Sequence, residues 1–230
     1  ESSCEIVNGF NNCPKLKSLS FMSDGKVKEI GGLNNNAITT FYIPNMALSV
    51  SGVNNCSALT TVVIWASLTS FTGFNNCPKL NKFTVDSSNT TFKVVDNNLC
   101  QGNKLCRVPM SKSDIMVTNG TTEIMSNAIQ IAFVNSISIP NGCILANDSI
   151  KCQSVGQIIL HTSFNTETGK YNNLTMTDFS TLDNVQVGTI FTYGNGITDT
   201  TNANCLPIVK YCIEHNINYV DMNETNTNAR

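Results

Sequence analysis

The chain is poor in charge. Only 13% of its 230 residues are Asp, Glu, Lys or Arg, and the net charge is −2. Phosphate binding needs clustered Lys and Arg, so nucleic acid is excluded as a partner. Long apolar runs are also missing, and a membrane-spanning helix needs about 18 or more apolar residues in a row. The hydrophobic fraction of 41% is nevertheless too high for a disordered chain. Histidine is scarce, with two residues, and no Cys-x-x-Cys occurs. Neither His161 nor His215 has a ligand partner nearby in sequence, so no metal and no cofactor is expected. Gly-x-Ser-x-Gly, His-Glu-x-x-His, the phosphate-binding loop and the dinucleotide fingerprint are all absent. Asp24, Asp86, Asp96 and Asp114 are scattered in turns, where Asp is common. Acid–base catalysis needs two carboxylates converging on one bond, and no spacing here implies that. No catalytic residue is assigned.

What the chain does have is asparagine, 33 residues of it, and a repeat. Phe10-Asn-Asn-Cys13-Pro-Lys-Leu16 returns as Phe74-Asn-Asn-Cys77-Pro-Lys-Leu80. Between them lie Val53-Asn-Asn-Cys56-Ser-Ala-Leu59 and a weaker copy, Leu33-Asn-Asn-Asn36-Ala-Ile38. Each copy leads into a short alternating apolar pattern. These are Leu16/Leu19/Phe21, Ile38/Phe41/Ile43, Leu59/Val62/Ile64 and Leu80/Phe83/Val85, at a spacing of about 21 residues. Val134/Ile137/Ile139 and Val155/Ile158/Leu160 continue it, and Leu174/Met176 and Val187/Ile190 echo it weakly. Such alternation fits a short strand with one buried face. A unit of this length holds one strand, a turn and a return. It buries its apolar face only by stacking on its neighbours, which pairs the strands in parallel.

The column Cys13, Asn36, Cys56, Cys77 is the sharpest detail. Thiol and carboxamide interchange where a small buried group meets backbone polar groups at a sharp corner. These residues, with Tyr42-Ile43-Pro44 and Ser138-Ile139-Pro140, resemble the BspA-type leucine-rich repeat family. The resemblance implies a mostly β, α/β-type solenoid, a right-handed superhelix with one short parallel strand per repeat. It further implies an inserted hairpin at about 92–110 and a closing cap at about 203–222, within a single domain spanning 1–222 and followed by a polar tail, 223–230. It implies a non-enzymatic surface or secreted protein that adheres to an extracellular or host protein, with a glycan as the other partner class. The alternative is a parallel β-helix acting on carbohydrate as a lyase or hydrolase. Such coils usually carry three strands per turn, whereas the strand signal here is strong once per unit.

The ten cysteines suggest an oxidising compartment. Cys13, Cys56 and Cys77 read as buried thiols of the corner. Cys100 and Cys106 flank a hairpin-like turn and are disulfide candidates, as are Cys143 and Cys152, which would close a loop. Cys205 and Cys212 lie too far apart for a bridge if both are helical. Sequons at Asn55, Asn89, Asn119, Asn147, Asn173 and Asn223 permit glycosylation. The chain starts at Glu1 without Met, which fits either removal of a signal peptide or a trimmed chain. An extracellular or cell-surface location is therefore expected.

Ala203–His215 reads as a helix with Asn204 as cap and Pro207 in the first turn. Ile208, Val209, Cys212 and Ile213 would form its apolar face. Such a helix covers the open edge of a stack. Residues between the buried positions face outwards, in three columns. One holds Ser20, Tyr42, Val63, Thr84, Ser138 and Ile159. The next holds Met22, Pro44, Trp65, Asp86, Pro140 and His161. The third holds Ser18, Thr40, Thr61, Lys82, Ser136 and Gln157. Tyr42, Val63, Trp65, Thr84, Ile159 and His161 are the candidate ligand-binding residues. Tyr42, Val63 and Trp65 form an apolar group around the one tryptophan.

Overall fold

The structure is a computed structural model that describes residues 4–21, 25–162, 164–165, 170–171, 174–193 and 200–222. Its residues fall into two compact units. The first comprises Glu1–Gly102 with Cys106–Lys112, the second Asn103–Leu105 with Ser113–Arg230.

In the first unit the short strands are β1 (Ile6–Val7), β2 (Glu29–Ile30), β3 (Thr40–Tyr42), β4 (Ser49–Ser51), β5 (Thr61–Ile64), β6 (Ser70–Thr72) and β7 (Lys82–Val85). They form two parallel ladders, β1-β2-β4-β6 and β3-β5-β7. Each coil therefore contributes a face strand and a return strand, not a single strand. The return strands carry their own alternation: Val50 is buried, Phe71 is half-buried, and the two are in register. All but one of the inward residues predicted for β3, β5 and β7 are where the spacing puts them; Val85 is half-buried. Ile38, Phe41, Ile43, Leu59, Val62, Ile64, Leu80 and Phe83 are all buried. Each such aliphatic or aromatic side chain contributes about 1.5–3 kcal/mol on burial. Leu16–Phe21 does not form the expected strand. It makes one ladder-type bond, from the Ala37 N–H to the Leu16 carbonyl at 3.0 Å.

The expected hairpin follows as β8 (Phe92–Val95) and β9 (Asn98–Gln101), antiparallel about Asp96 and Asn97. Both turn residues are left-handed, at φ +50° and +63°, as a two-residue hairpin turn requires.

The second unit has longer strands. β10 (Lys104–Arg107) begins in it, followed by β11 (Asp114–Met116), β12 (Glu123–Ile124), β13 (Phe133–Ile139), β14 (Ile144–Leu145) and β15 (Ser154–Leu160). A small antiparallel pair, β16 (Phe164–Asn165) and β17 (Lys170–Tyr171), precedes β18 (Gln186–Thr192). One ladder joins Lys104–Leu105 to β12 and β12 to β14, and the other runs β11-β13-β15-β18-β19. Here β19 is Asn218–Asp221, and it follows α1 (Pro207–Glu214). The looser late repeats are thus in register: Val134 opposes Val155, and Ile158 opposes Ile190.

The cap differs from expectation at both ends. The helix begins at Pro207, with Leu206 extended before it and no side-chain cap. Proline disfavours helical backbone in the preceding residue, so Asn204 lies outside the helix. Ile208, Val209 and Cys212 are buried, but Ile213 is 54% exposed. β19 then closes the sheet edge beside β18.

No disulfide links any of the ten cysteines, so both sequence-derived pairings are corrected. The chain reverses at Gly102–Asn103. About that turn Cys100 and Cys106 are one residue out of mirror position, which puts them on opposite strand faces. The Cys143 thiol meets the Ile124 backbone, whereas that of Cys152 meets the Ile131 backbone.

Candidate functional site

The site is positioned by the Asn-Asn-Cys corner of the first unit. The leading asparagines form a ladder through successive coils. The Asn34 N–H donates to Asn11 Oδ1 at 3.1 Å, that of Asn54 to Asn34 Oδ1 at 2.9 Å, and that of Asn75 to Asn54 Oδ1 at 3.0 Å. The second asparagines are left-handed, with φ from +52° to +57° at Asn12, Asn35, Asn55 and Asn76. Their amides bond across coils too, Asn35 to Asn12 at 2.6 Å and Asn76 to Asn55 at 3.1 Å. Asparagine tolerates this conformation, which is why the motif pairs two of them.

The third position behaves as the column predicts. The Cys56 thiol donates to the Leu33 carbonyl at 3.4 Å, and the Cys77 thiol to the Val53 carbonyl at 3.7 Å. In the Asn36 coil the amide donates to the same Leu33 carbonyl, while its oxygen accepts the Ile38 N–H at 3.1 Å. Cys13 departs from the expected buried thiol: it is half-buried and reaches only the Asn11 carbonyl of its own coil, at 3.6 Å. A hydrogen bond to the Cys56 thiol, followed by burial, holds the Cys77 thiol protonated.

Sequence reasoning missed two parts of this corner. A glycine stands two residues before each first asparagine: Gly9, Gly32, Gly52 and Gly73, all at positive φ. At Gly32 an added Cβ would lie 2.7 Å from the Gly9 nitrogen. The constant offset from the asparagine was the available signal. The other part is Arg107, buried at 3% exposure. Its Nη2 donates to the Gly73 carbonyl at 2.8 Å and to Asn75 Oδ1 at 3.1 Å, closing the last rung of the ladder. Burial pushes this guanidinium down to about 10. Beside it the Met110 sulfur accepts the Cys77 N–H at 3.2 Å. No periodicity marks either residue, because both come from the segment beyond the hairpin.

The corner feeds each coil into its face strand in fixed register. Tyr42, Val63 and Thr84 lie side by side, as do Thr40, Thr61 and Lys82. Tyr42 is 55% and Trp65 39% exposed, with Thr84 exposed and Val63 half-buried. Trp65 sits just past β5, where its carbonyl accepts the Asn89 side-chain amide at 2.7 Å. That amide also donates to Leu68 O, and the Asn89 oxygen accepts the Thr91 and Phe92 N–H groups. The Asn89 sequon is thereby committed to the turn. Pro44 and Pro140, expected to face outwards, are buried instead. Met46 and Leu48, 50% and 47% exposed, are apolar surface that the sequence reading did not assign. Alignment of Ala47 with Leu68, both buried, was the signal that throws Met46 outwards.

In the second unit the outward columns are longer than expected. Met116, Ser138, Ile159, Phe191 and Val220 share one row. Ile159 is half-buried in it. His161 is exposed and its Nε2 lies 2.6 Å from Ser138 Oγ. Asp114 accepts the Ser136 and Ser113 hydroxyls, which hold it below the usual carboxylate range. Met22 and the sequons at Asn173 and Asn223 lie outside the described residues. Among the described residues no group of three or more His, Cys, Asp or Glu could hold a metal. None of their helices is long and apolar enough to cross a membrane.

No protein-family profile and no curated protein matches the sequence. Solved structures do. The pneumococcal vaccine antigen PcpA is similar over 95% of this chain and 77% of its own, at 12% identity and a TM-score of 0.48. A leucine-rich cell surface protein from Faecalibacterium prausnitzii A2-165 is similar over 96% of this chain and 73% of its own, at 14% identity and a TM-score of 0.41. A leucine-rich repeat protein from Eubacterium ventriosum covers 73% of this chain and 76% of its own, at 11% identity and a TM-score of 0.34. With parallel ladders in register and an asparagine–cysteine corner repeated coil upon coil, this chain has the leucine-rich-repeat solenoid fold.

Proposed function

We propose that the protein is a non-enzymatic recognition module of the cell surface or extracellular space, and that it binds a protein partner through the outward face of β3, β5 and β7. The reading rests on one observation: Tyr42 and Trp65 stay exposed on adjacent coils of a rigid ladder. Large aromatic side chains held in fixed positions bind at low entropic cost and dominate interface energies. Val63 and Thr84 complete the row between and beside them. Ile159 and His161 belong to the corresponding face of the second unit and are candidates there. The exposed sequon asparagines Asn55, Asn119 and Asn147 suit an extracellular chain.

The test is capture of extracellular proteins on the immobilised chain, repeated with Trp65→Ala and Tyr42→Ala. Each substitution should weaken capture of the same partner by about tenfold or more. The unfolding midpoint should shift little, because both side chains face solvent. Unchanged capture by both variants would remove this face from consideration. Release of reducing sugar from glycan substrates would instead favour the carbohydrate-active alternative.

A further inference from the structure

In the first unit β7 and the hairpin strand β8 wall a groove of about 440 Å³. Phe83 and Phe92, both buried, floor it, and Val94, 38% exposed, supplies its accessible apolar surface. Lys82 stands on β7 and Lys93 on β8, and Thr84, Ser87 and Asn89 add uncharged polar groups to the lining. Both lysines are exposed, and neither takes part in an ion pair among the described residues. Asp86 also lines the groove, but its carboxylate accepts the Ser88 N–H at 2.8 Å within its own turn. Two lysines against one aspartate leave the groove with a charge of +1 in a chain whose net charge is −2.

The exposed Val94 side chain together with two unpaired ammonium groups matches a ligand of a particular chemistry. It must carry a carboxylate on a hydrocarbon stem, next to an apolar side chain. Thr84 belongs both to this groove and to the row of Tyr42 and Val63, so the groove continues the proposed binding face. We infer that the groove takes an acidic, partly apolar segment of the protein partner, with a Glu or Asp beside a Leu or Phe. The inference rests on the strand-face reading for the partner being a protein. It adds a charge preference that Tyr42 and Trp65 do not supply.

The experiment is an NMR titration of the protein at low salt with acetyl-Glu-Leu-Glu-Phe-amide and with its Gln-for-Glu counterpart. The acidic peptide should shift the amides of Lys82–Val85 and Phe92–Val95 and lose affinity as salt is added. Lys82→Gln and Lys93→Gln should each weaken it about two- to fivefold. The same shifts in Trp65→Ala protein would sustain the groove even if the strand-face reading failed. Equal binding of the Gln peptide would overturn the inference. So would shifts confined to Thr40–Trp65, which would leave the strand face standing alone. Groove shifts produced by an oligouronate and not by the acidic peptide would overturn the assignment to a protein partner.

Discussion

The two units turn their chains by different means. In the first, side chains do the work. Two asparagines and a cysteine, or a third asparagine at position 36, bond the backbone of each corner, glycine permits its left-handed turn, and the face strands are three or four residues long. In the second, backbone pairing extends further. β13, β15 and β18 are seven residues each, and the Asn-Asn-Cys corner is gone. Polar contacts there are individual: Ser149 Oγ lies 3.2 Å from Thr181 Oγ1, and Asn141 Oδ1 accepts the Thr175 N–H at 3.0 Å. A corner can thus be closed by a repeated amide ladder or by longer strands with local hydroxyl and amide contacts.

The largest effect should come from the second unit, where backbone is packed on backbone. A Cβ at Gly188 would lie 2.5 Å from the Gly156 carbonyl oxygen. Gly188→Ala should therefore destabilise by about 4 kcal/mol, seen as a lower denaturation midpoint. An unchanged midpoint would mean that this strand region is not closely stacked. In the first unit the counterpart is the ladder's last rung. Arg107→Ala strips the charged donor from the Gly73 carbonyl and the Asn75 amide, so urea unfolding should show a loss of about 3 kcal/mol.

Alkaline pH should weaken the fold through its buried thiols. Burial pushes the Cys143 thiol, in the second unit, up from 9.0 to about 11. The protonated thiol is favoured by the fold, so its contribution is complete below pH 9. It is lost as the pH rises from 9 to 11, where the unfolded chain ionises first. The loss from this thiol should reach about 2 kcal/mol, and Cys143→Ala should make the pH profile of stability shallower by about that amount over the window. The smallest effect is expected at the swapped corner position. Asn36→Cys should change stability by about 1 kcal/mol or less, since the same corner position holds a buried thiol in the Cys56 and Cys77 coils. A loss several times larger would show that the positions are not equivalent.

The same contrast governs what could be read from the sequence. In the first unit the corner residues recur at fixed spacing, so Asn36, Cys56 and Cys77, the buried positions from Ile38 to Phe83 and the Tyr42–Val63–Thr84 row were legible, whereas Cys13, Leu16, Leu19 and Phe21 are half-buried. Pro44 was misassigned and Met46 left unassigned because the turn after β3 breaks the alternation. In the second unit β11 and β12 were missed, because Asp114–Met116 and Glu123–Ile124 are too short to show a period. Arg107 was invisible for another reason. Its role depends on a contact across more than 30 residues with Gly73 and Asn75, which no local pattern encodes. The helix start failed on a local rule, since Pro207 overrides Asn204 as the boundary.

Hydrogen exchange at the ladder amides tests the central claim most directly. The Asn34, Asn54 and Asn75 N–H groups each donate to the side-chain oxygen of the coil before. All three should exchange slowly. In Asn54→Ala the Asn75 N–H should become fast while those of Asn34 and residue 54 stay protected. If Asn75 exchanged at the same rate with and without the Asn54 side chain, the amides would not be stacked coil on coil, and the account of this fold would be wrong.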